Sequence, residues 1–367
     1  MKNNQAIRVL QCVSNMDRAG IETALMNYYR QIDKKRVQFD FLVNKKNEGD
    51  YSNEIKAMGG RIYTTPGLSP FKWRKYQTYL KNLFNSHPEY HIIHCQNEEM
   101  GYPALLAAKK CGIKNRITHA HSSKIELDYK APIKYFYKKK LEKTASHLVA
   151  CGEKASMFMF GKKEKIIPNA ILTDNFVFNS KIRNKIRKEY KLTNEFVIGH
   201  VGRFEKPKNH KLLLEIFYEI TKREKQARLL LVGDGTLKKK IIKKANKLGL
   251  MDKIIFAGNV KNANEYYQAF DVFVMPSKNE GLPVVGIEAQ ASGLKCIFSD
   301  NITKEVCVTN NVKFVKINDM DGWVSSILAS KKYQRKNQKS DIVQSGFDIA
   351  EATKNIQLFY ERMGQNE

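Results

Sequence analysis

The strongest constraint on this chain is a rhythm of short apolar runs separated by helix-length stretches, which breaks once and then starts again. In the first half the runs are Ile7 to Val13, Val37 to Val43, Ile92 to Cys95, Arg116 to Thr118 and His147 to Ala150. Between them lie residues at helical spacing, as in Ala24, Leu25, Tyr28, Tyr29 and Ile32. The pattern restarts at Phe196 to Val201, Leu229 to Val232, Ile254 to Phe256, Val272 to Met275 and Cys296 to Phe298. Alternation of strand and helix builds a parallel sheet covered on both faces, so two such runs predict an α/β protein with two doubly wound, Rossmann-like domains. The break falls between Ile166 and Phe178, where Pro168-Asn169 precedes a basic helical stretch from Lys181 to Tyr190, and it marks the linker. The expected division is residues 1–172, residues 173–345, and a last helix within 346–367, about Ile349 to Met363, that can pack back on the first domain.

Several classes are excluded on composition. The longest apolar runs, such as Leu229 to Val232 and Pro283 to Ile287, fall far below the ~20 residues that cross a bilayer. Met1 to Gln11 has no long apolar core of the signal-peptide kind, so the chain is read as cytoplasmic. Charge points to an anionic partner: 64 Lys and Arg against 37 Asp and Glu give +27. Nucleic acid, an acidic membrane surface and phosphorylated small molecules are all drawn by such a field. The chain has no RNP motif, zinc-finger spacing or helix-turn-helix, and its basic runs lack interleaved aromatics, so no nucleic-acid partner is expected. The six cysteines are scattered without a CxxC pair and are read as reduced, buried side chains, with no metal site.

Ligands of open α/β sheets bind at the carboxyl ends of the strands, which directs attention to four post-strand loops. Ser14 to Thr23 opens the first helix and contains Gly20, whose backbone can approach an anion, or it is an ordinary helix start. His119-Ala120-His121-Ser122-Ser123 brings two imidazoles and two hydroxyls to a strand end, where they can meet sugar hydroxyls, move a proton, or simply satisfy a turn. Gly202-Arg203 followed by Lys208 sets a planar fork and a point charge ahead of the helix His210 to Thr221, which suits a diphosphate or a solvated basic loop. In Ser277 to Ala289, Pro283 fits a first helical turn, with Glu280 on the loop and Glu288 on the second turn. Eight residues at helical rise span at most about 12 Å, with the amides of Gly281, Leu282 and Val284 between the two carboxylates. A nucleotide-sugar has that layout, hydroxyls at each end and phosphates between; two unrelated glutamates in a helix entry are the plain alternative.

These loops carry a resemblance. Glu280 to Glu288 is similar to the E-x7-E signature, and Gly202-Arg203 with Lys208 to the G-R-x4-K phosphate loop, of retaining glycosyltransferases of family four, which have the GT-B fold of two Rossmann-like domains facing across a cleft. Gly20-Ile21-Glu22, His119-Ala120-His121-Ser122 and Ile167-Pro168-Asn169 resemble the family's glycine loop, first-domain histidine loop and inter-domain crossing. The match is nearest to exopolysaccharide and capsule enzymes, in which the order of Lys208-Asn209-His210 recurs. The resemblance implies a retaining, metal-independent transfer from a nucleotide-sugar donor, with UDP as the family default, to a lipid-linked saccharide acceptor; no cofactor is implied. A nucleotide-sugar-binding subunit without activity and a GT-B epimerase share the same residues.

Carried over residue by residue, the resemblance gives Arg203 and Lys208 the diphosphate, Glu280 the donor sugar, Glu288 the ribose, Gly20 the distal phosphate or sugar, and His121, with His119 second, a place beside the donor sugar. Val260, in Gly258-Asn259-Val260, meets the base. Two positions depart from the pattern: Ala19 replaces the first of two glycines, and Asn209 replaces the usual glycine after the lysine. Asp319-Met320-Asp321 is a literal DxD, read here as a helix cap instead of a metal site. Finally, Ala131 to Lys143 places Ile133, Phe136, Tyr137 and Leu141 at helical spacing beside Lys134, Lys138, Lys139 and Lys140. Either the apolar stripe enters lipid or, as the plainer reading has it, it packs into its own domain, and in both cases the lysines predict a peripheral electrostatic contact with the anionic inner face of the cytoplasmic membrane.

Overall fold

The computed structural model describes residues 5–45, 48–125 and 128–365. It divides into two compact units, Met1–Ile171 with Ile349–Glu367, and Leu172–Asp348. The first holds a parallel sheet of β1 (Ile7–Val13), β2 (Val37–Val43), β3 (Ile62–Thr64), β4 (Ile92–Cys95), β5 (Asn115–Ala120), β6 (His147–Ala150) and β7 (Lys165–Ile166), in the order β3-β2-β1-β4-β5-β6-β7. The second holds β8 (Phe196–Val201), β9 (Ala227–Val232), β10 (Ile254–Gly258), β11 (Val272–Met275), β12 (Lys295–Ser299) and β13 (Val312–Val315), in the order β10-β9-β8-β11-β12-β13. Both sheets reverse direction of winding beside their first strand, between β1 and β4 and between β8 and β11. The loops leaving those strands flank the crevice where open sheets bind ligands.

The differences from the sequence expectation have local causes. Strands β3, β7 and β13 escaped because they are short, and β7 exposes both of its residues, so none leaves an apolar run. Strand β5 runs on to Ala120, which puts His119 within the sheet instead of on the loop after it. The segment assigned to the linker begins as the edge strand β7, although the first unit ends at Ile171, one residue from the expected boundary at 172. Cys307 is exposed and Cys111 half-buried, unlike the expected buried set, although all six thiols are free.

The last helix, Ile349–Gln365, packs on the first unit. The Ile349 amide donates to the Ile171 carbonyl at 2.9 Å, so the chain leaves and re-enters that unit at one point. Tyr360 is fully buried with its ring edge-on to Phe39 at 5.8 Å. In the second unit the Asp319 carboxylate accepts from the Gly322 amide at 2.8 Å and caps the helix Met320–Ala329, while Trp323 is buried in the core below.

Candidate active site

In the second unit the expected residues converge from loops far apart in sequence. Strand β8 ends at Val201, and the chain turns through Gly202 and the exposed Arg203 into a short turn, Lys206–Lys208. Among the described residues no carboxylate lies within ion-pair distance of Arg203, so its guanidinium is free to meet an anion. Lys208 is different. Its Nζ lies 2.8 Å from Glu280 Oε1, and the two side chains are only 17% and 14% exposed. The expected phosphate ligand and the expected sugar ligand therefore hold each other in this structure. The pairing follows from charge: a lysine and a glutamate taken largely out of water need a counter-charge until a ligand supplies one.

Two further bonds stitch the same loops together. The Asn209 side-chain amide donates to the Pro276 carbonyl at 3.1 Å, and the Lys278 amide donates to the Pro207 carbonyl at 2.8 Å. Beyond them, Pro283 precedes the helix Val284–Ala291, and the amides of Gly281, Leu282 and Val284 take no acceptor among the described residues. Orphan donors of this kind at a helix start are ready to bind an anion. Glu288 lies on the second turn and accepts from the Tyr267 hydroxyl at 2.7 Å through Oε2, leaving Oε1 without a partner among the described residues. Burial raises the Glu288 carboxyl above its ordinary range, and the Tyr267 bond opposes that rise. Gly258 closes β10 and leads to Val260, half-buried on the loop expected at the base.

Beneath the Arg203 turn, His210 stacks on Phe204 at 4.1 Å and meets His200 edge-on at 4.8 Å. Burial holds both imidazoles neutral, His200 at about 4 and His210 at about 2. These rings support the loop and add no charge to it.

In the first unit the structure places Gly20 at the exposed start of the helix Gly20–Gln31, with open space where a Cβ would stand. Ala19 sits in extended backbone at φ −119°, where a side chain costs nothing, so the missing glycine leaves the helix entry intact. His119 and His121 lie at the end of β5 with rings stacked at 4.1 Å, both buried. His119 Nε2 meets the Ile167 carbonyl at 3.2 Å, and His121 Nε2 meets Gln96 Oε1 at 2.9 Å. Burial pushes His121 down to about 3 and His119 well below its ordinary value. A proton shuttle at neutral pH is thereby disfavoured for either ring; each acts as a neutral hydrogen-bonding group.

Residues 182–340 match the family described as Glycosyl transferases group 1. EpsF of Bacillus subtilis (strain 168), named as a glycosyltransferase, is 33% identical over 362 residues that cover 94% of each chain. This chain belongs to the group 1 glycosyl transferases, the GT-B enzymes of family four. CapH of Staphylococcus aureus, named as a capsular polysaccharide biosynthesis glycosyltransferase, is 27% identical over 379 residues, covering 96% of this chain and 98% of its own. Anabaena HepE, crystallised with UDP and glucose, shares the fold at a TM-score of 0.76, with 14% identity over 98% of both chains.

Within this glycosyltransferase the departure at Asn209 has a backbone explanation. Its φ of 55° is left-handed, the conformation for which glycine is the usual choice and which asparagine tolerates better than other side chains. Asparagine then adds the bond to Pro276 that glycine cannot make. Sequence reasoning missed the Gly233-Asp234-Gly235 turn after β9. Gly233 has a φ of 133°, and a Cβ there would stand 2.2 Å from the Gly202 carbonyl oxygen, so only glycine lets the two turns touch. The Phe204 amide donates to the Asp234 carbonyl at 2.9 Å, which fixes the Arg203 turn from below. Two glycines flanking an aspartate directly after an apolar run were the available signal. Tyr267 and Gln96 offered none, since each finds its partner only through tertiary structure. Among the described residues no group of three or more His, Cys, Asp and Glu side chains stands where it could hold a metal ion.

Proposed function

We propose that this glycosyltransferase moves a sugar, with retention of anomeric configuration, from a nucleotide-sugar donor, UDP being the nucleotide, to a lipid-linked exopolysaccharide or capsular glycan. The observation that carries the reading is the Lys208–Glu280 contact, because it joins the G-R-x4-K and E-x7-E loops in one basic and acidic pair. Arg203 and Lys208 stabilise the negative charge that grows on the diphosphate as the bond from the anomeric carbon to the β-phosphate oxygen breaks. The unpaired amides from Gly281 to Val284 take the phosphates, Glu280 takes donor-sugar hydroxyls, Glu288 Oε1 accepts a ribose hydroxyl, and Val260 lies at the base. From the first unit, the resemblance assigns Gly20 to the distal phosphate or sugar and His121, with His119 as the second candidate, to the donor sugar. The acceptor hydroxyl attacks from the face the phosphate leaves, its proton passes to the departing phosphate oxygen, and no metal is required.

The membrane contact keeps its place in this reading but changes its residues. Within Ala131–Thr144, Tyr137 and Leu141 are buried. Lys134 pairs with Asp128 at 3.1 Å, and Lys138 sits over the Phe158 ring at 4.0 Å, which leaves Lys139 and Lys140 as the exposed cations of the four. Exposed aromatics join them: Phe71 is fully exposed, Tyr129 is 87% exposed, and Tyr135 and Phe136 are about half exposed. Trp73 contacts Tyr137 ring to ring at 6.4 Å, which brings the Phe71 segment against this helix. Aromatic and basic side chains on one surface suit the headgroup level of an anionic bilayer. No helix among the described residues is long and apolar enough to cross a membrane.

The test is a screen of nucleotide sugars by thermal shift, followed by transfer to a lipid-linked saccharide with product stereochemistry read by NMR, with and without EDTA. Transfer with retention in EDTA is expected. An inverted product, or activity lost in EDTA and restored by Mg²⁺, overturns the corresponding part. Binding without transfer or hydrolysis identifies a silent subunit instead, and a changed sugar without transfer identifies an epimerase.

A further inference from the structure

The His121 ring stands at one end of a buried hydrogen-bonded chain that ends on the last helix. His121 Nε2 meets Gln96 Oε1 at 2.9 Å, and Gln96 Nε2 donates to Gln11 Oε1 at 3.0 Å. Gln11 Nε2 donates to the Tyr360 hydroxyl at 3.1 Å, and that hydroxyl is 2.7 Å from His94 Nδ1. Every member is at least nine-tenths buried, so water does not compete for these bonds. With the Gln11 and Gln96 amides oriented as in this structure, Gln96 Oε1 accepts and His121 Nε2 carries its proton, while the Tyr360 oxygen accepts from Gln11 and gives its own proton to His94 Nδ1; turning both amides over would reverse every role in the chain. The direction set at Tyr360 thus runs back through two amides to His121.

The backbone at His121 is held from the same loop. Its amide donates to Glu98 Oε1 at 3.1 Å, and Glu98 adopts a φ of 52°, a left-handed conformation uncommon for glutamate. With Nε2 spent on Gln96, the remaining ring nitrogen, Nδ1, is buried and has no partner among the described residues. A buried ring nitrogen without a partner is one that a ligand hydroxyl can satisfy; His94 Nε2 and His119 Nδ1 are unpartnered in the same way among the described residues, and the held backbone and Gln96 contact set His121 apart.

We infer that Gln96 is a positioning residue of this enzyme: it holds His121 as the Nε2–H tautomer so that Nδ1 offers a lone pair, and Gln11 with Tyr360 of the C-terminal helix keeps the Gln96 amide facing the right way. The inference rests on the reading of His121 as a residue beside the donor sugar. It implies that the partner of His121 is a hydroxyl that donates, so the ring selects for an intact hydroxyl on the sugar. It also gives the last helix a part in the site that sequence distance conceals.

The test reads the tautomer directly. In the full-length protein with labelled histidine, long-range nitrogen–proton NMR at pH 7.5 should show His121 protonated on Nε2. Gln96→Leu should leave the ring exchanging between tautomers, with kcat for transfer lowered ~10-fold while the Kd for UDP stays within about twofold of wild type. Tyr360→Phe keeps the ring on Phe39 and removes only the hydroxyl; it should weaken the tautomer preference and lower Tm by a few degrees, because Gln11 and His94 lose a buried partner, and it serves in place of Gln96→Leu if that variant does not fold. A wild-type His121 protonated on Nδ1, or a tautomer unmoved in both variants, overturns the proposal. Unchanged transfer in His121→Ala would refute the donor-side reading of His121 instead, and the tautomer measurements would still decide the role of Gln96.

Discussion

Glu280→Gln should make the protein bind UDP more tightly while it transfers sugar more slowly. The reason is the 2.8 Å contact between Lys208 Nζ and Glu280 Oε1, both side chains largely buried. At an effective dielectric of about 20, two unit charges at that distance attract by about 6 kcal/mol, before the cost of desolvating them is subtracted. A nucleoside diphosphate must share or displace this attraction to reach Lys208. The glutamine keeps the shape and removes the charge, which strands Lys208 and costs the unliganded protein ~3 kcal/mol, the low end for a broken buried pair. In a domain of this size that lowers Tm by roughly 6–12 °C. The diphosphate then supplies the missing counter-charge. If one quarter to one half of the Coulomb term returns on binding, UDP affinity rises by ~10 to 100-fold, and the Tm gap closes as UDP is added. Transfer nonetheless falls, because an amide holds sugar hydroxyls less well than a carboxylate does. Calorimetric titration with UDP at ~0.1 M salt, thermal unfolding with and without UDP, and transfer rates measure all three quantities. A Glu280→Gln protein that binds UDP no more tightly than wild type would refute the argument that the pair guards the phosphate site.

Three other outcomes are expected. Alanine at Arg203 or Lys208 should cut kcat for transfer by ~100-fold or more, whereas alanine at the exposed Lys239 should do little; equal small effects at all three would remove the phosphate assignment. Acid should unfold the protein partly through His210, whose folded pKa of about 2 lies below the unfolded value, so its contribution is present above about pH 6.5 and is lost as pH falls towards 2. His210→Phe, which keeps a ring on Phe204, should gain ~1.4 kcal/mol relative to wild type between pH 7.5 and 5.5 in urea unfolding, and a pH-independent difference would count against the buried neutral ring. Phe71→Ser combined with Lys139→Glu and Lys140→Glu should abolish salt-sensitive binding to anionic liposomes and leave UDP affinity intact, whereas the same charge reversal at Lys238 and Lys239 should leave liposome binding unchanged.

Much of this enzyme is determined by local sequence. Period and apolar content set the strands β1, β2, β4, β8 and β11 because a buried parallel strand must be apolar over several residues, and those runs are visible without any partner. The loops that follow them inherit their position from topology, so Arg203, Lys208, Glu280 and Glu288 stood out as candidates by spacing and took their expected roles from the family resemblance, while the Asp319 cap was legible directly. What only the tertiary structure decided is how those residues spend their charges and hydrogen bonds. Lys208 neutralises Glu280, Tyr267 occupies one oxygen of Glu288, and half of the expected membrane lysines are engaged by Asp128 and Phe158. Short strands such as β7, the left-handed backbone of Asn209, and the path from Tyr360 through Gln11 and Gln96 to His121 were equally hidden. The physical reason is common to all of them. Hydrophobic periodicity is a property of neighbours in the chain, whereas a buried polar group is satisfied by whichever partner the fold delivers, and that partner can stand hundreds of residues away.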